Sequence, residues 1–124
     1  MKKFNRFPLR LVRWVPALIV MGVIFWVSST PGSNLPDFGV FENLVETGGH
    51  FLGYVLLAQA YLFAIGSQGT RSWWIAGFLA ILYGISDEIH QSFVPGRDAS
   101  IIDLGVDALG ISLSLLARFL ATKI

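Results

Sequence analysis

The stretch "YGISDEIHQSFVPGRDASIIDLGVDALG", residues 83–110, places many polar groups in an otherwise apolar chain. It holds five acidic residues, one histidine, one glutamine and one arginine, although 54% of the 124 residues are hydrophobic and 14% are charged. An ordinary soluble domain carries about 25% charged residues. The composition therefore predicts a single integral membrane domain, residues 1–124, in which this stretch is sheltered from lipid. Because the chain has no cysteine, it has neither disulfides nor a thiolate site.

Four apolar windows along the chain have a length close to the roughly 20 residues that a bilayer span requires. They cover residues 14–29, 50–66, 73–93 and 101–121. Between the first two, Pro, Gly and Ser indicate a loop, and apolar residues at helical spacing near 38–46 predict a short interfacial helix. The sequence thus predicts an all-α membrane protein with four transmembrane helices and one short interfacial helix.

The basic residues predict how the chain is oriented. Five of them lie in residues 1–13, and short loops rich in Lys and Arg stay on the cytoplasmic side. Arg71, Arg118 and Lys123 then also fall inside, which leaves Arg97 as the only basic residue outside. We therefore expect a multi-pass plasma-membrane protein with both termini cytoplasmic and its polar stretch on the outer side. As an alternative, the first apolar segment resembles a cleavable secretory leader.

The acidic residues of the last two predicted helices are expected to face the inside of a bundle. Each charge facing lipid at mid-bilayer costs about 2.5–3.5 kcal/mol, so Asp87, Glu88, Asp103 and Asp107 together would cost roughly 10 kcal/mol. Only residues 94–100 join the two helices, which makes them antiparallel neighbours. Asp87 and Asp107 then lie at similar depths, about 9 Å from the outer end, and line one cavity.

Helical spacing brings further polar side chains to the same place. Four polar residues share one face of the third predicted helix: Tyr83, Asp87, His90 and Gln91. His50 and Tyr54 share a face of the second. The predicted acid and base residues are Asp87, Glu88 and His50. The predicted binding residues are Arg97, Gln91, Tyr54, Asp103, Asp107 and His90.

Several of these residues also have purely structural interpretations. Ser100 and Asp103 match a capping box, which satisfies backbone N–H groups at the start of a helix. Pro95 and Gly96 fit a turn. Arg97 fits a counter-ion for an acid on a neighbouring helix, and each of the two histidines fits a hydrogen-bonded structural residue.

The segment "DEIHQSFVPGRDASIIDLGVDALG", residues 87–110, resembles the motif of VanZ-like membrane proteins. "VSSTPG" at 27–32 and "HFLGYVLLA" at 50–58 fit the same family, so the resemblance extends from residue 27 onward. Thr47 stands where family members often carry a lysine. The resemblance implies a small membrane protein of the cell envelope, related to one that confers resistance to the glycopeptide antibiotic teicoplanin. The family motif covers His50, Tyr54, Asp87, Glu88, Gln91, Arg97, Asp103, Asp107 and Gly110.

Three functions fit the polar stretch, and the sequence leaves open whether the protein is an enzyme. The first is a site that binds or acts on a lipid-linked or phosphate-bearing headgroup of an envelope precursor, with Arg97 on the phosphate. No cofactor is evident, although two carboxylates could hold a divalent cation. The second is a non-enzymatic accessory or scaffold subunit, and the third is an ion- or proton-coupled carrier. No nucleic-acid signature is present, since the basic residues follow the membrane rule.

The predicted orientation is tested directly by labelling introduced cysteines, because the chain has none of its own. In intact cells, a membrane-impermeant thiol reagent should label Ala99→Cys and leave Ser67→Cys unlabelled. Labelling of Ser67→Cys alone would reverse the orientation and place the polar stretch inside.

Overall fold

The structure is a computed structural model that describes residues 7–30, 42–66, 69–97 and 101–123, and these residues are mainly helical and contain no strand. The all-α prediction is thereby confirmed for this part of the chain. The five helices are α1 (Phe7–Val12), α2 (Val15–Ser29), α3 (Glu42–Ile65), α4 (Thr70–Gln91) and α5 (Ile101–Lys123).

A turn separates α1 from α2 at the start of the first predicted apolar window, residues 14–29. Pro16 lies in the first turn of α2 and has no N–H to donate to a preceding carbonyl. The chain therefore makes a turn between α1 and α2, in which the Trp14 N–H donates to the Leu11 carbonyl at 3.1 Å. A proline at this position is compatible with the start of a helix, so α2 begins where the sequence predicts.

Among the described residues, three helical segments are long and apolar enough to cross a membrane: Arg10–Ser29, Thr47–Ile65 and Ile101–Ala121. The 22-residue helix α4 is outside this set. It coincides with the third predicted window, but its acidic residues near the C-terminal end lower its apolar character. The structure therefore supports a membrane protein with three apolar spans.

The region of the predicted interfacial helix continues directly into α3. Residues 42–46 are the first residues of this long helix, while residues 38–41 lie outside the described part of the chain. The predicted interfacial helix is therefore not a separate element over its described residues, because residues 42–46 are continuous with the helix that follows.

Helix α3 is the centre of the bundle, because it packs against α2, α4 and α5. Its inward face carries the fully buried Tyr54, Leu57 and Ala58. Ala76 and Ala80 of α4 are also completely buried. Small residues of this kind let membrane helices approach closely, which gives the dispersion contacts that hold such bundles together.

Side-chain hydrogen bonds stabilise the contact between α3 and α5. The Ser114 hydroxyl donates to the Val55 carbonyl at 2.8 Å, and the Gln59 amide donates to the Ser114 carbonyl and hydroxyl, both at 2.9 Å. One turn earlier on α5, Gly110 lies so close to α3 that a Cβ there would be 3.0 Å from the Phe51 carbonyl oxygen. The two helices are therefore fixed in register as well as in distance.

An arginine stabilises the end of the bundle where α2 starts and α3 ends. The Arg13 Nε donates to the Phe63 carbonyl at 2.9 Å, and its guanidinium lies 4.2 Å from the centre of the Phe63 ring. Gly66 ends α3 with a φ of 75°, and its N–H donates to the Leu62 carbonyl at 3.1 Å. A cation beside the last carbonyls of a helix is favourable for the helix dipole.

Large apolar side chains cover the outside of the bundle. The most exposed of them include Trp26, Trp74, Phe93 and Ile101, and further exposed Leu, Ile and Val residues lie on each of the long helices. An apolar exterior of this extent is unfavourable in water and suits contact with lipid.

The two glycines of α5 at positions 105 and 110 provide a matched test of helix packing. Gly110→Ala should lower stability by about 1–3 kcal/mol, because the new methyl group meets the α3 backbone. Gly105→Ala should be neutral or stabilising by up to about 1 kcal/mol, since nothing lies within 4 Å of its Cβ position. Both changes in stability are measured by thermal unfolding in a mild detergent, with circular dichroism as the signal. Equal unfolding midpoints for the two variants would contradict the close approach.

Candidate functional site

Six buried or nearly buried polar side chains from four helices meet at one end of the bundle. We call them the polar cluster: Ser28 of α2, His50 and Tyr54 of α3, Asp87 and Gln91 of α4, and Asp107 of α5. Each of α3 and α4 contributes two residues four positions apart, which places both on one helix face. The cluster lies at the opposite end of the bundle from Arg13.

The His50 ring stands between the two carboxylates of the polar cluster. Its Nδ1 is 3.5 Å from Asp107 Oδ1 and 4.0 Å from Asp87 Oδ2. The Tyr54 hydroxyl donates to Asp87 Oδ2 at 3.4 Å. The histidine and the tyrosine of α3 thus reach acids on two different helices.

The second nitrogen of His50 faces an amide. Gln91 Nε2 lies 3.4 Å from His50 Nε2 and donates to the Ser28 hydroxyl at 3.4 Å. When the amide also donates to the neutral ring, Nε2 is the acceptor and Nδ1 carries the proton toward the carboxylates. This chain of contacts couples α2 to α5 through a single imidazole.

Burial makes the carboxylates of the polar cluster costly. Asp87 and Asp107 are 4% and 1% exposed, and Tyr54 and Gln91 are also buried. A buried charge requires a partner or hydrogen bonds to offset its lost hydration. The cluster provides one imidazole for two carboxylates, so it is rich in acceptors and favours ligands that donate hydrogen bonds or carry positive charge.

Arg97 lies at the same end of the bundle and holds the end of α2. The side chain is 8% exposed, and its Nη1 donates to the carbonyls of Val27 and Thr30 at 3.0 and 3.2 Å. These carbonyls belong to the last turn of α2 and the residue after it, where a cation is favourable. The contact gives Arg97 a structural role; its predicted contact with a phosphate stays a prediction.

The turn before Arg97 has the geometry that its sequence predicts. The Arg97 N–H donates to the Val94 carbonyl at 3.2 Å, and Gly96 has a φ of 74°. Proline followed by a glycine with positive φ is the preferred central pair of a type II turn. The turn aims Arg97 back toward α2.

His90 is separate from the polar cluster. Its ring stacks on Phe25 with centroids 4.6 Å apart, and its Nε2 lies 2.8 Å from the Ser29 hydroxyl. Both partners belong to α2. His90 therefore ties α4 to α2, which fits the structural interpretation of this histidine.

Two further predicted residues lie near the polar cluster, and one of them, Asp103, interacts electrostatically with His50 and Asp107. Glu88 is buried and follows Asp87 on α4, and Asp103 is half-buried in the first turn of α5. Ser100, the other half of the predicted capping box, lies outside the described residues. Ser28 is the member of the cluster that the sequence reasoning missed, although a serine within an apolar helix was a signal that could have found it.

The described residues contain no group of three or more His, Asp or Glu side chains arranged to hold a metal ion. A divalent cation at this site remains a prediction of the sequence.

An apolar groove between α4 and α5 reaches the polar cluster. It has a volume of about 310 Å³ and is lined by Ile81, Gly84, Ile101, Leu104, Gly105, Asp107, Ala108 and Ile111. Asp107 is the only ionisable residue among these. Asp107 therefore borders the groove as well as the polar cluster, with both of its carboxylate oxygens buried.

No family model matches the chain, and no curated protein or solved structure matches it either. The resemblance to VanZ-like proteins thus stays a prediction from the sequence motif, and the geometry of the polar cluster and the groove is what bears on function.

The role of Arg97 in holding α2 can be measured as stability. Arg97→Ala should cost about 1.5–3 kcal/mol, because charged hydrogen bonds to two carbonyls are lost. Arg71→Ala is the matched control, since this arginine is exposed near the start of α4. Thermal unfolding of both variants in the same detergent checks the difference. An Arg97→Ala midpoint equal to that of Arg71→Ala would refute the structural role.

Proposed function

We propose that the chain crosses the membrane four times, with α4 as the fourth span. A 22-residue helix is about 33 Å long, which is enough for the hydrocarbon core. Its Asp87 and Glu88 lower its apolar character, but both are buried against neighbouring helices and do not meet lipid. We place both termini on the cytoplasmic side of the plasma membrane and the polar cluster on the outer side, as the distribution of basic residues predicts.

We infer that the polar cluster binds, or acts on, the headgroup of a lipid-linked component of the cell envelope. The observation that carries this proposal is that Asp107 belongs to the buried cluster and also lines the apolar groove. A lipid-linked molecule has the matching composition, with an apolar chain beside a polar group. Pockets for small ligands combine apolar walls with a few polar groups in this way.

The chemistry available to the polar cluster is acid–base chemistry and hydrogen bonding. His50, held between two carboxylates, can accept or release a proton, and an adjacent carboxylate fixes the orientation of such an imidazole. Tyr54 and Gln91 add hydrogen-bonding groups. The physiological setting that we propose is resistance to glycopeptides such as teicoplanin, as the VanZ-like motif implies.

The second candidate is a non-enzymatic accessory or scaffold subunit that presents or shields an envelope precursor or a partner protein. The contacts of Arg97 and His90 with α2 favour it. Both residues are polar, lie at this end of the bundle and stabilise the packing of α2. In this case the cluster serves to hold the helices, and a headgroup is not required.

A carrier for ions or protons is the third candidate, and the middle of the bundle offers little to support it. Between the polar cluster and Arg13, Tyr61 and Tyr83 have hydroxyl groups that donate to Met21, one to its sulfur and one to its carbonyl. Both hydroxyls thus hold helices together at that level. A proton path would have to pass these contacts.

Native mass spectrometry of the detergent-purified protein tests the proposed function. Wild type should retain a defined lipid, and His50→Gln and Asp87→Asn should each reduce its occupancy at least about tenfold, because each removes a group from the polar cluster. Ser112→Ala, an exposed position on α5, should retain the lipid as wild type does. Absence of bound lipid from wild type, or equal lipid occupancy in wild type and the three variants, would contradict the headgroup proposal and favour the scaffold subunit.

A further inference from the structure

Arg13 is a fixed guanidinium at the end of the bundle opposite the polar cluster. Its Nε donates to the Phe63 carbonyl at 2.9 Å, and its guanidinium carbon lies 4.2 Å from the centre of the Phe63 ring. Gly66 leaves room for it, because a Cβ at that position would be 3.3 Å from the Arg13 Nε. The side chain is thus held by its Nε and against an aromatic ring before any ligand arrives.

The outer part of the same guanidinium is available to a ligand. Arg13 is half-buried, and neither of its Nη atoms has a hydrogen-bond partner among the described residues. Because Nε is already used, the donors that remain are the end-on pair, Nη1 and Nη2. This pair matches two oxygens of a phosphate, which a guanidinium binds in a bidentate manner.

The charge at this end of the bundle favours an anion. The acidic residues of the described helices all lie in the halves next to the polar cluster: Glu42, Glu46, Asp87, Glu88, Asp103 and Asp107. Arg10 and Arg71 lie at the Arg13 end, and neither forms an ion pair with a described residue. A negative group at Arg13 would therefore be attracted by its surroundings as well as by its direct contact.

Aromatic residues indicate that this end lies at the level of lipid headgroups. Trp14 directly precedes α2, and Trp73 and Trp74 lie near the start of α4. Tryptophan is enriched where a membrane meets water. The Phe63 ring beside the guanidinium is exposed on the outside of the bundle. A molecule bound here would meet N–H donors at its polar end and an apolar surface beside them.

We propose that Arg13 binds the phosphate of an anionic phospholipid in the leaflet at this end of the bundle. Nη1 and Nη2 donate to two phosphate oxygens, and an acyl chain lies on the exposed ring of Phe63. Basic sites between membrane helices bind anionic headgroups by the same chemistry. The site lies at the opposite end from the polar cluster, so it goes beyond the proposed function and does not depend on it.

Three probes separate the charge of the ligand from its lipid character: dioctanoyl phosphatidylglycerol, dioctanoyl phosphatidylcholine and inorganic phosphate. Each is titrated into the full-length protein in a neutral detergent, and the Kd is measured by isothermal titration calorimetry. Wild type should bind phosphatidylglycerol about threefold or more tighter than phosphatidylcholine, because the choline cation is repelled by the neighbouring arginines. Inorganic phosphate should bind at least about tenfold more weakly than phosphatidylglycerol, since it has no acyl chain to bury.

A pair of matched variants tests the guanidinium itself. Arg13→Lys keeps the positive charge and removes the fork, and should lower the affinity for phosphatidylglycerol at least about fivefold. Arg118→Lys makes the same exchange at an exposed position of α5 and should bind as wild type does. The comparison of the three probes uses wild type alone, so it tests the site even if Arg13→Lys does not fold.

The inference is overturned if wild type binds the two lipids equally or prefers phosphatidylcholine. It is also overturned if Arg13→Lys is folded and binds phosphatidylglycerol as tightly as Arg118→Lys does. Inorganic phosphate that binds as tightly as phosphatidylglycerol would refute the lipid as the ligand.

This site and the proposed headgroup site fail independently of each other. A lipid bound at Arg13 is released by Arg13→Lys, whereas a lipid bound at the polar cluster is released by His50→Gln or Asp87→Asn. Native mass spectrometry of the same purified proteins therefore assigns each retained lipid to one end of the bundle.

Discussion

Two carboxylates buried in an apolar bundle impose the constraint on which the rest of this structure depends. Asp87 and Asp107 lie on different helices, and neither can be left facing lipid without a cost of several kcal/mol. The His50 ring between them, with Tyr54 on the same face of α3, therefore fixes how α4 and α5 sit around the central helix. Gln91 and Ser28 extend the contacts to α2, so all the long helices are joined at one level of the bundle.

The helices can meet at this level because small residues bring their backbones together. Gly110 places α5 directly against the α3 backbone, and Gly84 of α4 lies within contact distance of Leu104 and Tyr54. Arginines then act at opposite ends: Arg13 donates to a carbonyl in the last turn of α3, and Arg97 donates to one in the last turn of α2. A cation at the C-terminal end of a helix is favourable for the helix dipole.

Asp107 is the point where structural and chemical roles meet. Its carboxylate pairs with the His50 ring and so joins α5 to α3, and the residue also borders the apolar groove, although both carboxylate oxygens are buried. This meeting of a buried polar cluster with an apolar groove is the physical reason for proposing a ligand at this end of the bundle, whether the protein turns that ligand over or only holds it.

The sequence by itself determined that the described chain is helical and which residues, apart from Ser28, form the polar cluster. It placed the start of α3 at residue 50, whereas the helix begins at Glu42 and takes in the described part of the predicted interfacial helix. Apolar windows near the length of a bilayer span and polar residues four positions apart are local patterns, and the cost of facing lipid makes these residues turn inward. Only the tertiary structure decided that Arg97 caps α2, that His90 stacks on Phe25 outside the cluster, and that Asp107 borders a groove. These outcomes depend on how the helices are rotated and spaced against one another. That geometry is set by contacts between residues far apart in the chain, such as Gly110 with Phe51, and spacing along a single helix does not encode it.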